Sequence, residues 1–188
     1  MTGEDVELSK LVAWMLRHDP AGAGIAVDDA GWAAVSDVVA ACRARGHAID
    51  EGDLVALVVA SGKARYALDA AQRRIRAQQG HSFPVALGYV PARPPPRLYH
   101  GTVARFIAAI EREGLLPKQR HDVHLSEDVA TALEVGRRRG DPVVLEVDAA
   151  AMHADGHVFS CTPNGVWLVA AVPPGFLRRL PSPPAPAR

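Results

Sequence analysis

Apolar residues at Leu8, Leu11, Val12, Met15 and Leu16 recur at i, i+3, i+4, i+7 and i+8, which predicts an amphipathic helix closed by Pro20. Arg17 falls opposite Leu8 on that helical wheel, so Arg17 and His18 sit near the last turn, off the apolar stripe. A turn at Asp28-Asp29-Ala30-Gly31 precedes a second helix with Val35, Val38, Val39 and Cys42 on one face and Gly46 as its stop. Asp50 is placed to cap a third helix through Leu54, Leu57 and Val58 that ends at Ser61-Gly62. Two short strands, 65–68 and 74–77, follow around Asp69-Ala70-Ala71-Gln72. In the second, Ile75 and Ala77 point one way and Arg74 and Arg76 the other. Three helices and then a hairpin is the order of a winged-helix unit.

The pattern changes at Pro91-Ala92-Arg93-Pro94-Pro95-Pro96, which fits neither a helix interior nor a central strand and marks a loop. A strand from Arg97 to His100 leads to a helix with Phe106, Ile107 and Ile110 on one face and Gly114 at its end. Ser126 is placed to cap a helix carrying Val129, Ala132, Leu133 and Gly136. Residues 143–147, 157–161 and 166–172 read as strands, the last two joined by Pro163-Asn164-Gly165. The expected fold class is therefore α+β in two lobes, 1–83 and 84–180, with a Pro-rich tail from 181 to 188 expected to be disordered.

Composition narrows the field only partly. With 48% hydrophobic residues the 188-residue chain can build a core, and its formal net charge of +0 excludes a broad cationic surface of the kind that coats DNA. Local clusters remain, at Arg73, Arg74 and Arg76 and again at Arg137, Arg138 and Arg139. Cys42 and Cys161 lie too far apart to read as a disulfide framework or zinc pattern. His121 and His124 have the spacing H-x-x-H, but no later cluster completes a closed metal site, so no metal is expected. Neither a phosphate loop nor a Rossmann fingerprint is present. No secretory signal or membrane-length apolar run is read, so a cytoplasmic chain working without a membrane, an obligate protein partner or a second subunit is the expectation.

Chemistry concentrates in four histidine-containing islands: Leu16-Arg17-His18, Ile75–Ser82, Leu98–Thr102 and Arg120–Ser126. Three contain an arginine, whose planar fork of donors suits phosphate, beside small and hydroxyl residues that let a backbone approach a ligand. Arg74 and Arg76 share one facing, and the strand pattern alone does not choose between them. Trp32 and Trp167 read as core anchors.

In this order, with Leu8-Ser9-Lys10-Leu11, Gly31-Trp32, His124-Leu125-Ser126, Pro142–Leu145 and Asn164–Leu168, the islands resemble those of the RNA 2'-phosphotransferases. The resemblance spans Leu8 to Leu177. It implies an N-terminal winged-helix-like lobe that holds RNA and a C-terminal lobe like the ADP-ribosyltransferases. It also implies NAD as cofactor and an RNA bearing a 2'-phosphate as partner. The implied reaction moves that phosphate to NAD through an RNA 2'-phospho-ADP-ribose. Its products are 2'-hydroxyl RNA, nicotinamide and ADP-ribose 1'',2''-cyclic phosphate. By the same resemblance Arg17, His18, Arg76 and Arg120 would be catalytic, Arg76 being favoured over Arg74 by its surrounding motif. His81, Ser82, His100, Gly101, Thr102 and Ser126 would meet the cofactor, with Gly101 allowing tight contact. Two departures stand out: Asp122 replaces a histidine, adding negative charge where a phosphate is expected, and Arg139 replaces another. Two alternative functions stay open: ADP-ribosylation of nucleic-acid terminal phosphates or another acceptor, and a non-catalytic winged-helix nucleic-acid binder.

Overall fold

A computed structural model describes residues 3–60 and 65–181, and the chain divides into two compact units, Met1–Gly88 and Tyr89–Arg188. The expected helix end at Ser61-Gly62 and all but the first residue of the expected tail lie outside the described residues.

The first unit is built on helix α1 (Gly3–Arg17), strand β1 (Ala33–Ala34), helices α2 (Val35–Arg43) and α3 (Glu51–Ala60), and strands β2 (Tyr66–Asp69) and β3 (Arg74–Ala77). The α1 stripe is buried at Leu8, Val12, Met15 and Leu16, against Val38, Cys42, Leu54 and Ile75 in one core. Helix α2 ends in a Schellman arrangement. His47 N donates to Cys42 O at 3.1 Å and Gly46 N to Arg43 O at 3.0 Å, with Gly46 at φ +90°. Helix α3 opens on a reciprocal capping box in which Asp50 Oδ1 accepts from Asp53 N (2.8 Å) and Asp53 Oδ2 accepts from Asp50 N (2.9 Å). The antiparallel sheet has the order β1–β3–β2, with Ile75 opposite both Ala33 and Leu68. Ile75 and Ala77 are buried and Arg74 and Arg76 face the other way, as the alternation predicts. The first strand of the hairpin starts one residue later than expected, although Gln78 N still donates to Arg65 O at 3.0 Å.

The second unit runs β4 (Arg97–Val103), α4 (Ala104–Glu113), β5 (Val123–Leu125), α5 (Val129–Arg137), β6 (Pro142–Asp148), α6 (Ala149–Ala154), β7 (Phe159–Cys161), β8 (Trp167–Val169) and β9 (Leu177–Arg179). They form two antiparallel sheets, β4–β6–β9 and β5–β8–β7. Leu98, Leu125, Val147, Met152, Phe159 and Val172 lie at the centre of the unit's core. The proline-rich loop is anchored through Ala92 N, which donates to Phe159 O at 2.8 Å.

Three expectations change here. Ser126 does not cap α5. Its N–H and C=O are both paired with Tyr99 at 2.8 Å, and the cap is Asp128, whose Oδ1 accepts from Thr131 N at 2.7 Å. Phe106 leaves the buried face of α4 and is 38% exposed, carrying the Arg105 guanidinium 4.9 Å from its ring centre. The strand expected over 166–172 stops at Val169, since Val172 pairs with Leu115 instead. Among the described residues no helix is long and apolar enough to cross a membrane.

Candidate functional site

Arg17, His18, Arg76, His81 and Ser82 belong to the first unit, and His100, Gly101, Thr102, Arg120 and Ser126 to the second.

In the first unit, the segment from His81 to Leu87 ties the candidates together. Ser82 N donates to Arg17 O (2.9 Å), and Ser82 Oγ lies 3.1 Å from His18 Nδ1. Helix α1 therefore delivers its last-turn Arg17 and the following His18 to this segment, where Ser82 fixes the imidazole's orientation. His81 is 2% exposed and packs edge-on against Phe83. It also lies beside Gly31, where an added Cβ would come within 3.5 Å of His81 Nε2 and 2.9 Å of Val85 Cγ2. Gly31 has φ +78°, so both space and backbone demand glycine there. At the far end of the segment Leu87 O accepts from Arg76 Nη1 at 3.3 Å, and the same nitrogen donates to Ala30 O at 3.2 Å.

The geometry separates the two arginines that the sequence left equivalent. Arg74 is spent on carboxylates, with Asp69 at 3.1 Å and Asp28 at 3.4 Å. Arg76 has no carboxylate among the described residues. It meets two carbonyls and the face of Trp32, whose centre is 4.7 Å from the guanidinium carbon, and its buried Nε has no acceptor among the described residues. Its charge is thus oriented but not neutralised, as an anion site needs. Trp32 is half-buried and also carries Arg74 at 5.2 Å, so it is an arginine platform rather than a core anchor. Sequence reasoning missed this role, because Trp32 and Arg76 lie far apart in the chain and meet only through the pairing of Ala33 with Ile75.

In the second unit the focus is the end of β5. His100 Nδ1 is 3.1 Å from His124 O. A carbonyl only accepts, so Nδ1 carries the proton and Nε2 keeps a lone pair in the neutral ring. Burial, with Arg139 and Arg120 nearby, holds His100 below the ordinary histidine value and so favours the neutral ring, although the hydrogen bond to the His124 carbonyl acts the other way. The His124 ring faces Arg120, with Nη1 3.2 Å from Nδ1. Because arginine only donates, His124 Nδ1 accepts and its ring proton is on Nε2. His124 thus joins His100 to Arg120 through its backbone and ring in turn.

Arg120 is exposed as a whole side chain, yet desolvation of its guanidinium and the positive charges of Arg139 and Arg138 lower its pKa. Three guanidiniums gathered without a carboxylate ion pair among the described residues make an anion-attracting patch. Asp122 has no ion pair among the described residues, and burial raises its carboxyl above the usual range. Its charge is not what acts on Arg120.

Gly101 has a packing reason to be glycine, beside the ligand contact expected of it. A Cβ there would lie 1.7 Å from Ala132 O and 2.9 Å from Gly136 N, so the close approach is by the backbone of α5. Thr102 is 4% exposed, on the strand face shared with Leu98 and His100. Ser126 is held by its backbone pairing with Tyr99. Trp167 is buried as expected and donates from Nε1 to Glu127 at 2.7 Å. Among the described residues no three His, Cys, Asp or Glu side chains gather as a metal site.

Arginine forks paired with oriented imidazoles in each unit are the equipment of a protein that handles phosphoryl groups. Residues 3–171 match the family described as RNA 2'-phosphotransferase, Tpt1 / KptA family, and the chain belongs to it. It is 52% identical over 169 residues to a protein of Agrobacterium fabrum, covering 90% of this chain and 91% of that one. A protein of Streptomyces coelicolor is 51% identical over 173 residues (92% and 94%), and one of Nostoc punctiforme 45% over 175 (93% and 97%). All three bear the name "Probable RNA 2'-phosphotransferase".

Proposed function

We propose that this chain removes an internal 2'-phosphate from RNA by transferring it to NAD, leaving a 2'-hydroxyl. The observation that carries this reading is family membership over residues 3–171, with Arg76 held in orientation and left without a carboxylate. In this reading the first unit is a winged-helix-like RNA-holding lobe, in keeping with three helices and a β1–β3–β2 sheet. The second is an ADP-ribosyltransferase-like lobe that holds NAD.

When bound, NAD supplies the ribose carbon that takes the 2'-phosphate as nicotinamide leaves, and the hydroxyl that then takes the phosphorus to give ADP-ribose 1'',2''-cyclic phosphate. The donor set fits such a ligand. His100, neutral and with Nε2 as acceptor, suits a ribose hydroxyl, and the charges of Arg120, Arg138 and Arg139 suit phosphate oxygens. Arg17 and Arg76, in the first unit, are assigned to hold the RNA phosphate and to offset the charge growing on its oxygens. His18, oriented by Ser82 through Nδ1, is assigned to exchange a proton with the RNA 2'-oxygen.

Purified protein incubated with NAD and an RNA oligonucleotide carrying one internal 2'-phosphate tests the proposal. Nicotinamide, 2'-hydroxyl RNA and the cyclic phosphate are the expected products. Failure to release nicotinamide or to remove the phosphate at high enzyme concentration overturns it. A stable ADP-ribosylated RNA as the end product would instead place the chain among enzymes that stop after the first transfer.

A further inference from the structure

Arg76 poses a problem of design. A guanidinium meant to receive a phosphate must be held still, but a carboxylate that held it would also neutralise it and compete for the same fork of donors. Around Arg76 the restraints are two carbonyl oxygens, on Ala30 and Leu87, and the face of Trp32. An aromatic face attracts a cation through its quadrupole and fixes the plane of the guanidinium without removing its charge.

Trp32 is itself held in place by the loop that precedes it. Asp28 Oδ1 accepts from Ala30 N (3.0 Å) and Trp32 N (2.8 Å), while Asp28 N donates to Trp32 O (3.0 Å). The other Asp28 oxygen reaches Arg74, whose guanidinium also contacts the Trp32 ring. One carboxylate therefore closes the loop and secures the neighbouring arginine. The loop presents both an oxygen (Ala30) and a ring (Trp32) to Arg76, and Gly31 between them has the positive φ that lets both point there.

We infer that Trp32 is a positioning residue for Arg76, its indole face holding the guanidinium in the plane required for the RNA phosphate. The inference rests on the proposed role of Arg76. Trp32 touches no reacting atom in this scheme and acts through the arginine.

The test compares Trp32→Leu, Trp32→Phe, Arg76→Ala and the double variant Trp32→Leu/Arg76→Ala at saturating NAD and RNA, with thermal melting of each. Trp32→Leu is expected to lower kcat about tenfold, the loss of a partly desolvated cation–π contact converted to rate, with KM for NAD unchanged. Trp32→Phe, retaining a ring, recovers most of the rate. In the Arg76→Ala background Trp32→Leu costs nothing further, an outcome that a general loss of stability would not give. A folded Trp32→Leu with wild-type kcat, or one whose loss multiplies that of Arg76→Ala, overturns the inference. Normal kcat in Arg76→Ala overturns the role of Arg76 itself, a separate result. If Trp32→Leu does not fold, Trp32→Met takes its place: a lowered kcat at unchanged melting temperature, absent in the Arg76→Ala background, supports the inference, and a wild-type kcat refutes it.

Discussion

Replacing Gly101 by alanine should damage the second unit through packing alone. Its Cβ would be placed 1.7 Å from Ala132 O, 2.7 Å from Ala132 C and 2.9 Å from Gly136 N. All three are backbone atoms, so no rotamer change relieves the overlap, and α5 must withdraw by roughly 1.5 Å to reach ordinary contact distance. Overpacking relieved by side chains costs about 1–3 kcal/mol. With backbone on the far side the cost belongs at the top of that range, about 3 kcal/mol. For a unit of this size each kcal/mol moves the melting temperature by about 4–8 °C, so the variant should melt about 12–24 °C lower. Gly136→Ala is the internal control. Its Cβ would meet Pro142 Cβ and Thr102 O at 2.9 Å, a milder overlap, and alanine returns about 1 kcal/mol of helix propensity. Thermal unfolding followed by circular dichroism, repeated by urea titration, reads both. A Gly101→Ala protein melting within about 3 °C of wild type would refute the packing account and return Gly101 to a ligand role.

Three further outcomes are expected. Asp128→Ala removes the α5 cap and should cost about 1 kcal/mol in urea unfolding, whereas Ser126→Ala, which leaves the backbone pairing with Tyr99 intact, should cost much less. For His100, whose folded pKa is lowered by burial, the unfolded chain takes the proton first as pH drops below about 6.5. Stability should therefore decline below that pH until the folded value is reached, and His100→Gln should flatten the decline; equal slopes in the two proteins would contradict this. The half-buried Asp122 carboxyl is raised, so its ionised form burdens the folded state above the folded pKa, and the burden fades as pH falls through that pKa and is gone below about 3.9. Asp122→Asn should be at least as stable as wild type at pH 7 and lose that advantage near pH 3, with phosphate removal from RNA retained; a destabilised variant at pH 7 would show that Asp122 has a partner of its own.

Long, strongly periodic elements were legible in the sequence, and several of the shortest were not. The α1 stripe repeats over two turns, and in β3 the alternation of Ile75 and Ala77 with two arginines leaves one choice of face. Strands β5 and β9 have three residues each and α6 has six, too few to carry a period. The α5 cap was misassigned between two competent side chains two positions apart, and a non-local contact decided it: Tyr99 engages the Ser126 backbone. The histidine and arginine islands were visible as chemistry. What each arginine touches depends on pairings such as Ala33 with Ile75, which bring the Trp32 loop over β3 and which no local pattern encodes. The reason for Gly101 lay likewise with a helix about thirty residues further along the chain.

The paired hydrogen bonds between Tyr99 and Ser126 join the two sheets of the second unit, and they flank the contact between His100 and the His124 carbonyl. A seam of this kind is a thermodynamic gauge. Opening it separates the imidazole from the carbonyl that sets its tautomer, so any molecule bound through His100 must oppose the opening by its own binding free energy. The Tyr99 and Ser126 amides would then exchange with deuterated solvent more slowly as ligand is added, in proportion to occupancy. Two backbone protons would thus report on ligand binding at His100 before any phosphate has moved.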